Sequence, residues 1–323
     1  EPGPDIHQKV RTLNQVLEKS LQDQIDECLS QDVIEPSTSP WNFALVPVPK
    51  KDGRTRWCID YRQLNERTIK DRHPIGDITD NINQLCHSRI FSCLDGTGAF
   101  HVVPLSKEAR PKTAFSSPLG HYQFKRLPFG LANGPATYCR FALLVLKCLS
   151  RNRVGPYLDD VIVHSPDVMG HLRTLSEVFQ AYSKAGLKLQ PKKCHFLQSK
   201  ITYLGHTVSA EGVEPSAQHV RIVQDWPLPN NRSKVRAFLG KVGYYRRFIQ
   251  DFAKRAKPLL AQLSMDNGLE DKEEFKPSAE FESAFHQLKK ELLQHPILAY
   301  PRFDSCEPFI LDTDWSQTRA WFH

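Results

Sequence analysis

The sequence predicts an α+β fold, and three observations predict it. Short runs rich in β-branched and aromatic residues recur in pairs around turn signals, as in 43–48 with 57–59, 114–115 with 122–124, and 154–156 with 161–163. Longer segments between them repeat apolar residues at helical spacing. From Arg232 onward helical patterning replaces the strands, with basic residues clustered along it.

Taken in order, Val10, Leu13, Val16, Leu17, Leu21, Ile25 and Leu29 put a helix over 10–29. Pro36-Ser37-Thr38-Ser39-Pro40 breaks the chain. The first hairpin turns at Lys51-Asp52-Gly53, with Lys50, Lys51, Arg54 and Arg56 near its tip. A helix is expected around 77–86, then a strand running into Asp95, the second hairpin, and a helix over 135–150. The helix expected over 167–185 is closed by Gly186, the residue type that best takes a left-handed C-terminal position. Short strands follow at 187–189, 201–204 and 206–209, and a last helix at 278–293 precedes a strand at 309–311.

The chain has 323 residues and a formal net charge of +7, enough length for more than one compact unit and a mild bias toward a polyanionic partner. Between Arg232 and Lys257 nine basic residues face one acid, Asp251, so this segment alone carries more surplus charge than the whole chain. Phe238, Leu239, Tyr244, Tyr245, Phe248 and Ile249 are interleaved there. That pattern suits a phosphate-backbone contact with aromatic neighbours, against the plainer reading of a solvated face over a local aromatic core. Eight cysteines form no Cys-x-x-Cys pair, and Cys194-His195 alone cannot make a tetrahedral metal site, so reduced thiols are expected. No apolar run is long enough to span a membrane, and the first residues lack the pattern of a secretion signal. Both ends read as cuts through a longer polypeptide.

The chemistry is expected at Tyr157-Leu158-Asp159-Asp160, where two adjacent carboxylates lie at a tight turn between apolar strands. Asp-Asp also occurs in ordinary turns. A third carboxylate, Asp95, ends the run Phe91-Ser92-Cys93-Leu94, and carboxylates brought together repel unless a hard cation joins them. Such a set can hold two divalent ions about 4 Å apart for in-line phosphoryl displacement. Spacing leaves a polymerase and a nuclease equally open.

Leu-Asp-Gly-Thr-Gly-Ala-Phe-His (94–101), Leu-Pro-Phe-Gly-Leu-Ala-Asn-Gly-Pro-Ala-Thr (127–137) and Tyr-Leu-Asp-Asp (157–160) resemble, in order, three core motifs of reverse transcriptases of gypsy-type LTR retrotransposons. Cys58-Ile59-Asp60-Tyr61-Arg62-Gln63-Leu64-Asn65, Tyr203-Leu204-Gly205-His206 and Gly243-Tyr244-Tyr245-Arg246-Arg247-Phe248 extend the resemblance over 6–316. It implies a right-hand polymerase with a ferredoxin-like palm. Its parts would be an N-terminal segment and fingers (1–70), palm (71–102), fingers again (103–126), palm again (127–209), helical thumb (210–263), and a connection with a truncated RNase H start (264–323).

The resemblance further implies that Asp95, Asp159 and Asp160 are the catalytic metal ligands for two Mg²⁺ ions, with Mn²⁺ as a substitute. Lys50, Lys51, Arg56, Phe100, Phe129 and Gly130 would bind the dNTP, Phe100 as the gate against a ribose 2′-hydroxyl. Tyr203, Leu204 and Gly205 would grip the primer end, and Arg236, Gly240, Gly243, Tyr244, Arg246 and Arg247 would meet the template–primer duplex. Lys192 or Lys193 would be a general acid for the leaving pyrophosphate. Asp314 would be a vestigial RNase H ligand without its partners, so no RNase H activity is expected. The implied partners are an RNA/DNA template–primer duplex, dNTPs and the other Pol domains (protease, RNase H, integrase), with no membrane. The implied setting is intracellular, in a cytoplasmic retrotransposon particle. The competing reading is a catalytically dead, retroelement-derived nucleic-acid-binding protein. An RNA-dependent RNA polymerase is disfavoured by Tyr-Leu-Asp-Asp and by the bulk at Phe100.

Overall fold

The computed structural model describes residues 4–10, 12–49, 53, 55–74, 76–97, 99–150, 152–264, 275, 277–294, 296–300, 313–316 and 319–322. The chain divides into two compact units, Glu1–Leu204 and Gly205–His323.

The first unit opens with helix α1 (Gln15–Ser30), capped by the Asn14 side chain, which accepts from the Leu17 N–H. The helix begins five residues later than the apolar spacing suggested, because Asn14 satisfies the first free amides where a helical turn through it would not. Strands β1 (Ile34–Pro36), β2 (Leu45–Pro49) and β3 (Thr55–Ile59) follow, and β2 and β3 pair as the expected hairpin. Lys50 and Lys51 at its tip lie outside the described residues. Helices α2 (Arg62–Arg67) and α3 (Ile78–Asn83) lead into β4 (Ile90–Thr97). The second hairpin is β5 (Phe115–Ser117) with β6 (Gly120–Phe124), and β6 also pairs with β1. Leu21, Ile25, Ile34, Leu45, Trp57, Phe115 and Phe124 form one core joining α1 to these strands.

Helix α4 (Gly134–Val145), β7 (Val154–Tyr157), β8 (Asp160–Ser165), helix α5 (Val168–Ala185), β9 (Lys188–Leu189), β10 (His195–Gln198) and β11 (Lys200–Tyr203) complete the unit. α4 stops before the expected 150, with a backbone cap at Leu146. The central sheet has the order β10-β4-β8-β7, and β9 pairs with the end of β4. With α4 between β4 and β7 and α5 between β8 and β10, this is the β-α-β-β-α-β path of a ferredoxin-like unit. α5 buries His171, Thr174, Leu175, Val178 and Tyr182, one stripe of a 3.6-residue period, and Gly186 closes it at φ 70°. Leu94, Val161, Val163, Leu175, Val178 and Tyr182 fill the core between sheet and helices.

The second unit begins with β12 (His206–Ser209) paired to β13 (Gly212–Pro215). The Gly205 carbonyl accepts from the Tyr245 hydroxyl at 2.7 Å and from the Ser216 N–H at 3.0 Å, which ties this hairpin to the helical part of the unit. Helices α6 (Ala217–Gln224), α7 (Arg232–Gly243), α8 (Phe252–Ser264) and α9 (Ala279–Leu293) come next, α9 capped by Ser278. Phe238 and Phe285 meet at 4.6 Å in the core of this unit. The strand expected at 309–311 lies outside the described residues. Beyond it, β14 (Thr313–Ser316) and β15 (Arg319–Phe322) form a hairpin that the sequence pattern did not predict.

Candidate active site

The β7–β8 hairpin sets Val154 opposite Val163 and Pro156 opposite Val161, and its two-residue loop is Leu158-Asp159. Leu158 stands at φ 52°, a left-handed conformation that side chains with a Cβ adopt reluctantly and that concentrates at functional turns. Register across the neighbouring strand sets Asp95 of β4 directly opposite Asp160 of β8. Asp159, one residue away in the loop, is exposed. All three expected carboxylates therefore come to one end of the central sheet, two of them as a cross-strand pair.

The electrostatics follow from that crowding. Burial, then the negative charges of Asp159 and Asp95, push the Asp160 carboxyl up to about 6, against a smaller opposing effect of Lys193. Lys193 lies with its Nζ 3.3 Å from both oxygens of Asp95. Its place is fixed by the backbone. β9 pairs with Gly96 and Thr97, the Gln190 N–H donates to the Asp95 carbonyl at 2.9 Å, and a 3₁₀ turn over Pro191–Lys193 returns the lysine over the carboxylate. Lys192 is exposed beside it. Among the described residues no group of three His, Cys, Asp or Glu side chains is arranged to hold a metal ion, and the cation Asp95 meets is this lysine. In donor type the three carboxylates do fit hard divalent ions, and a cation there would offset both the burial and the neighbouring negative charges that raise Asp160.

Phe100 sits on the 3₁₀ turn after β4, its ring stacked on Tyr138 at 5.1 Å and tilted against Phe129 at 4.8 Å. Tyr138, which sequence reasoning missed, links this aromatic group to the carboxylates. Burial and then Asp159 push its phenol up to about 12. The signal was present, since Tyr138 directly follows the 127–137 motif and lies one helical turn from Gly134. Phe129 is 56 % exposed, and Gly130 has φ 93°, a conformation open to glycine. Arg56 is exposed on β3 opposite Val48.

Other expected residues are placed less directly. Tyr203 is buried, and its hydroxyl donates to the Gly155 carbonyl at 3.2 Å, so its ring belongs to the core and only the backbone beyond it is presented. Leu204 and Gly205 both take positive φ there, 46° and 74°. In the second unit the expected aromatic face is corrected: Phe238, Tyr245, Phe248 and Ile249 are buried, and only Tyr244 of the interleaved aromatics is well exposed. A small helical unit has few other groups to fill its core, so its aromatics turn inward. Arg246 and Arg247 fall in a 3₁₀ turn rather than a helix, both exposed, as is Arg236. Gly240 is exposed on α7, and a Cβ there would meet nothing within 4 Å, so local packing does not demand the glycine. Gly243 ends α7, and its added Cβ would make ordinary contact with Phe252. Arg255 is taken by Glu291 at 3.1 Å. Asp314 lies in β14 opposite Trp321, and the described residues fix its backbone only.

Residues 48–208 match the family model described as reverse transcriptase (RNA-dependent DNA polymerase). Over 316 residues the chain is 37 % identical to a retrovirus-related Pol polyprotein from transposon 297 of Drosophila melanogaster, covering 96 % of this chain and 29 % of that protein. It is 35 % identical over 309 residues to the corresponding polyprotein from transposon gypsy of the same organism, covering 91 % and 29 %. The chain thus spans about three tenths of these curated relatives. Among solved structures it is similar to the foamy viral protease-reverse transcriptase dRH in complex with double-stranded DNA, with a TM-score of 0.87 and 25 % identity over 98 % of this chain and 54 % of that one. The foamy viral protease-reverse transcriptase in complex with an RNA/DNA hybrid gives 0.79 and 25 %, over 90 % and 39 %.

Proposed function

Because the chain belongs to the reverse transcriptase family, with gypsy-type retrotransposon Pol polyproteins as its relatives, we propose that it is the polymerase portion of such a polyprotein. In this reading it extends a primer 3′-hydroxyl with deoxynucleotides on RNA or DNA templates. The observation that carries it is the cross-strand pair Asp95–Asp160 with Asp159 in the adjoining turn. Asp95, Asp159 and Asp160 would hold two divalent ions, Mg²⁺ or Mn²⁺, which supply activation of the hydroxyl and neutralisation of the departing pyrophosphate.

The remaining roles rest on the chain's own groups. Phe100, backed by Tyr138, stands as a wall that excludes an oxygen at the sugar 2′ position. Arg56, with Lys50 and Lys51, neutralises the triphosphate. Lys193 pairs with Asp95, one of the carboxylates that would hold the ions, and its ammonium would be the proton donor for the departing pyrophosphate, with Lys192 as its neighbour. The Leu204-Gly205 backbone steadies the primer end, while Arg236, Gly240, Gly243, Tyr244, Arg246 and Arg247 meet the duplex. In family terms residues 1–70 and 103–126 are fingers, 71–102 and 127–209 palm, 210–263 thumb, and 264–323 connection and RNase H start. The other Pol domains are the partners within the polyprotein.

Primer extension on poly(rA)/oligo(dT) with dTTP and Mg²⁺ tests the reading. Wild type is expected to extend, and Asp159→Asn to fall to background while still binding the duplex. Salt-sensitive duplex binding without extension by the wild type would leave a nucleic-acid-binding protein and remove the enzyme.

A further inference from the structure

Two asparagines outside the expected site make a matched pair of contacts. Asn65, in α2, donates from Nδ2 to the Gly130 carbonyl at 2.8 Å and accepts at Oδ1 from the Ala132 N–H at 2.8 Å. Asn133 returns the arrangement. Its Nδ2 donates to the Ile69 carbonyl at 2.9 Å and its Oδ1 accepts from the Asp71 N–H at 3.0 Å. Each carboxamide thus satisfies one donor and one acceptor of the opposite backbone, which is the full two-point fit its shape allows. Arg140, further along α4, pairs with the Asp71 carboxylate and closes the same seam.

Local structure does not account for either residue. Asn133 stands at the N-cap of α4, where an asparagine ordinarily bonds the first amides of its helix, yet its side chain makes no capping bond. α2 buries none of its residues, so Asn65 is not there to anchor a core helix. What the bonds hold is the 129–133 loop, which the left-handed Gly130 turns past Ile59 and Tyr61. That loop carries Phe129, the exposed ring set against Phe100 and, at 5.4 Å, against His101.

We propose that Asn65 and Asn133 are positioning residues for nucleotide selection. By clamping the 65–71 segment to the 129–133 loop they fix Phe129, and with it the width of the slot beside Phe100. The inference rests on the polymerase reading and names residues that act through Phe129 and Phe100, not on the reacting atoms. Without Asn65 the loop keeps its hydrophobic neighbours but loses its only side-chain restraint among the bonds described at Gly130 and Ala132, so Phe129 recedes and the slot widens.

Hydrogen exchange and single-nucleotide kinetics on Asn65→Ala, Asn133→Ala and Asn65→Asp test this in the full chain. The Ala132 amide is expected to exchange about tenfold faster in Asn65→Ala, and the Asp71 amide likewise in Asn133→Ala, the effect of losing one hydrogen bond. Asn65→Asp keeps the acceptor for Ala132 and is expected to retain protection there. In extension, KM for dTTP should rise about tenfold with kcat changed less than about twofold, and discrimination against UTP should fall several-fold. Duplex affinity should stay at the wild-type value. Unchanged exchange would overturn the clamps. Faster exchange with unmoved KM and discrimination would overturn their role in selection, as would a uniform loss of kcat and duplex binding. Exchange is read without turnover, so a wild-type chain that fails to extend would instead overturn the polymerase reading.

Discussion

Asp160 shows at the scale of one residue how a site works against the fold that carries it. Its folded carboxyl titrates near 6 against an ordinary 3.8, so the fold favours the protonated form. The contribution to stability is present below the ordinary value and is lost as pH rises through about 6. The group is partly solvated, which reduces the effect to about 1–2 kcal/mol. Asp160→Asn, neutral at every pH, is therefore expected to raise the unfolding temperature in metal-free buffer at pH 8. The advantage should disappear below pH 4 in a thermal scan series. A lower unfolding temperature at pH 8 would mean that Lys193 offsets the repulsion more fully than the geometry suggests.

Among elements, α5 shows two separable devices. Its C-terminal cap is Gly186 at φ 70°, and a Cβ there would meet nothing within 4 Å. Gly186→Ala therefore isolates backbone strain and is expected to destabilise by about 1 kcal/mol, read from the urea midpoint at constant slope. At the other end the Leu197 N–H donates to Ser92 Oγ, which lies 2.7 Å from His171 Nε2, while His171 Nδ1 lies 3.1 Å from Ser165 Oγ, itself a donor to the Asp167 carbonyl. Reading donors and acceptors along that chain assigns His171 its proton on Nδ1. Beside it His164 bonds Ser88 at 2.8 Å and is driven down to about 4, by burial first and then by His171. A histidine lowered this far stabilises fully above its ordinary 6.5, and that stability is lost as pH falls toward 4, about 3 kcal/mol in all. His164→Gln should flatten the decline in urea midpoint between pH 6.5 and 4. An equally steep decline would assign the acid sensitivity to other groups.

For the whole molecule, the basic segment of the second unit is the feature that concerns a partner. Arg246 and Arg247 are exposed on a 3₁₀ turn whose third residue, Phe248, is buried, so the core holds the turn while both guanidiniums stay in water. If both meet phosphates, replacing them by alanine should weaken duplex binding and reduce the slope of log affinity against log salt by about 2. An unchanged slope in an anisotropy titration would place the duplex on other cations. Phe248 should be left intact in this test, because its loss would disturb the core.

By itself the sequence determined the carboxylate turn, the flanking strands, the Gly186 cap and the order of the motifs, since each depends on neighbours in the chain. Period-2 and period-3.6 patterns and turn chemistry are local, and they were legible. What only the tertiary structure decided depends on pairing between distant segments. Register across β4 and β8 sets Asp95 opposite Asp160, a return after β9 brings Lys193 onto Asp95, and packing of α4 on the turn after β4 stacks Tyr138 on Phe100. The same holds for the aromatics of the basic segment. Their spacing favoured a basic face with aromatic neighbours over a local core, yet Phe238 packs on Phe285 of α9 while Tyr245 and Phe248 pack on His206 of β12, because a side chain's exposure is set by what packs against it.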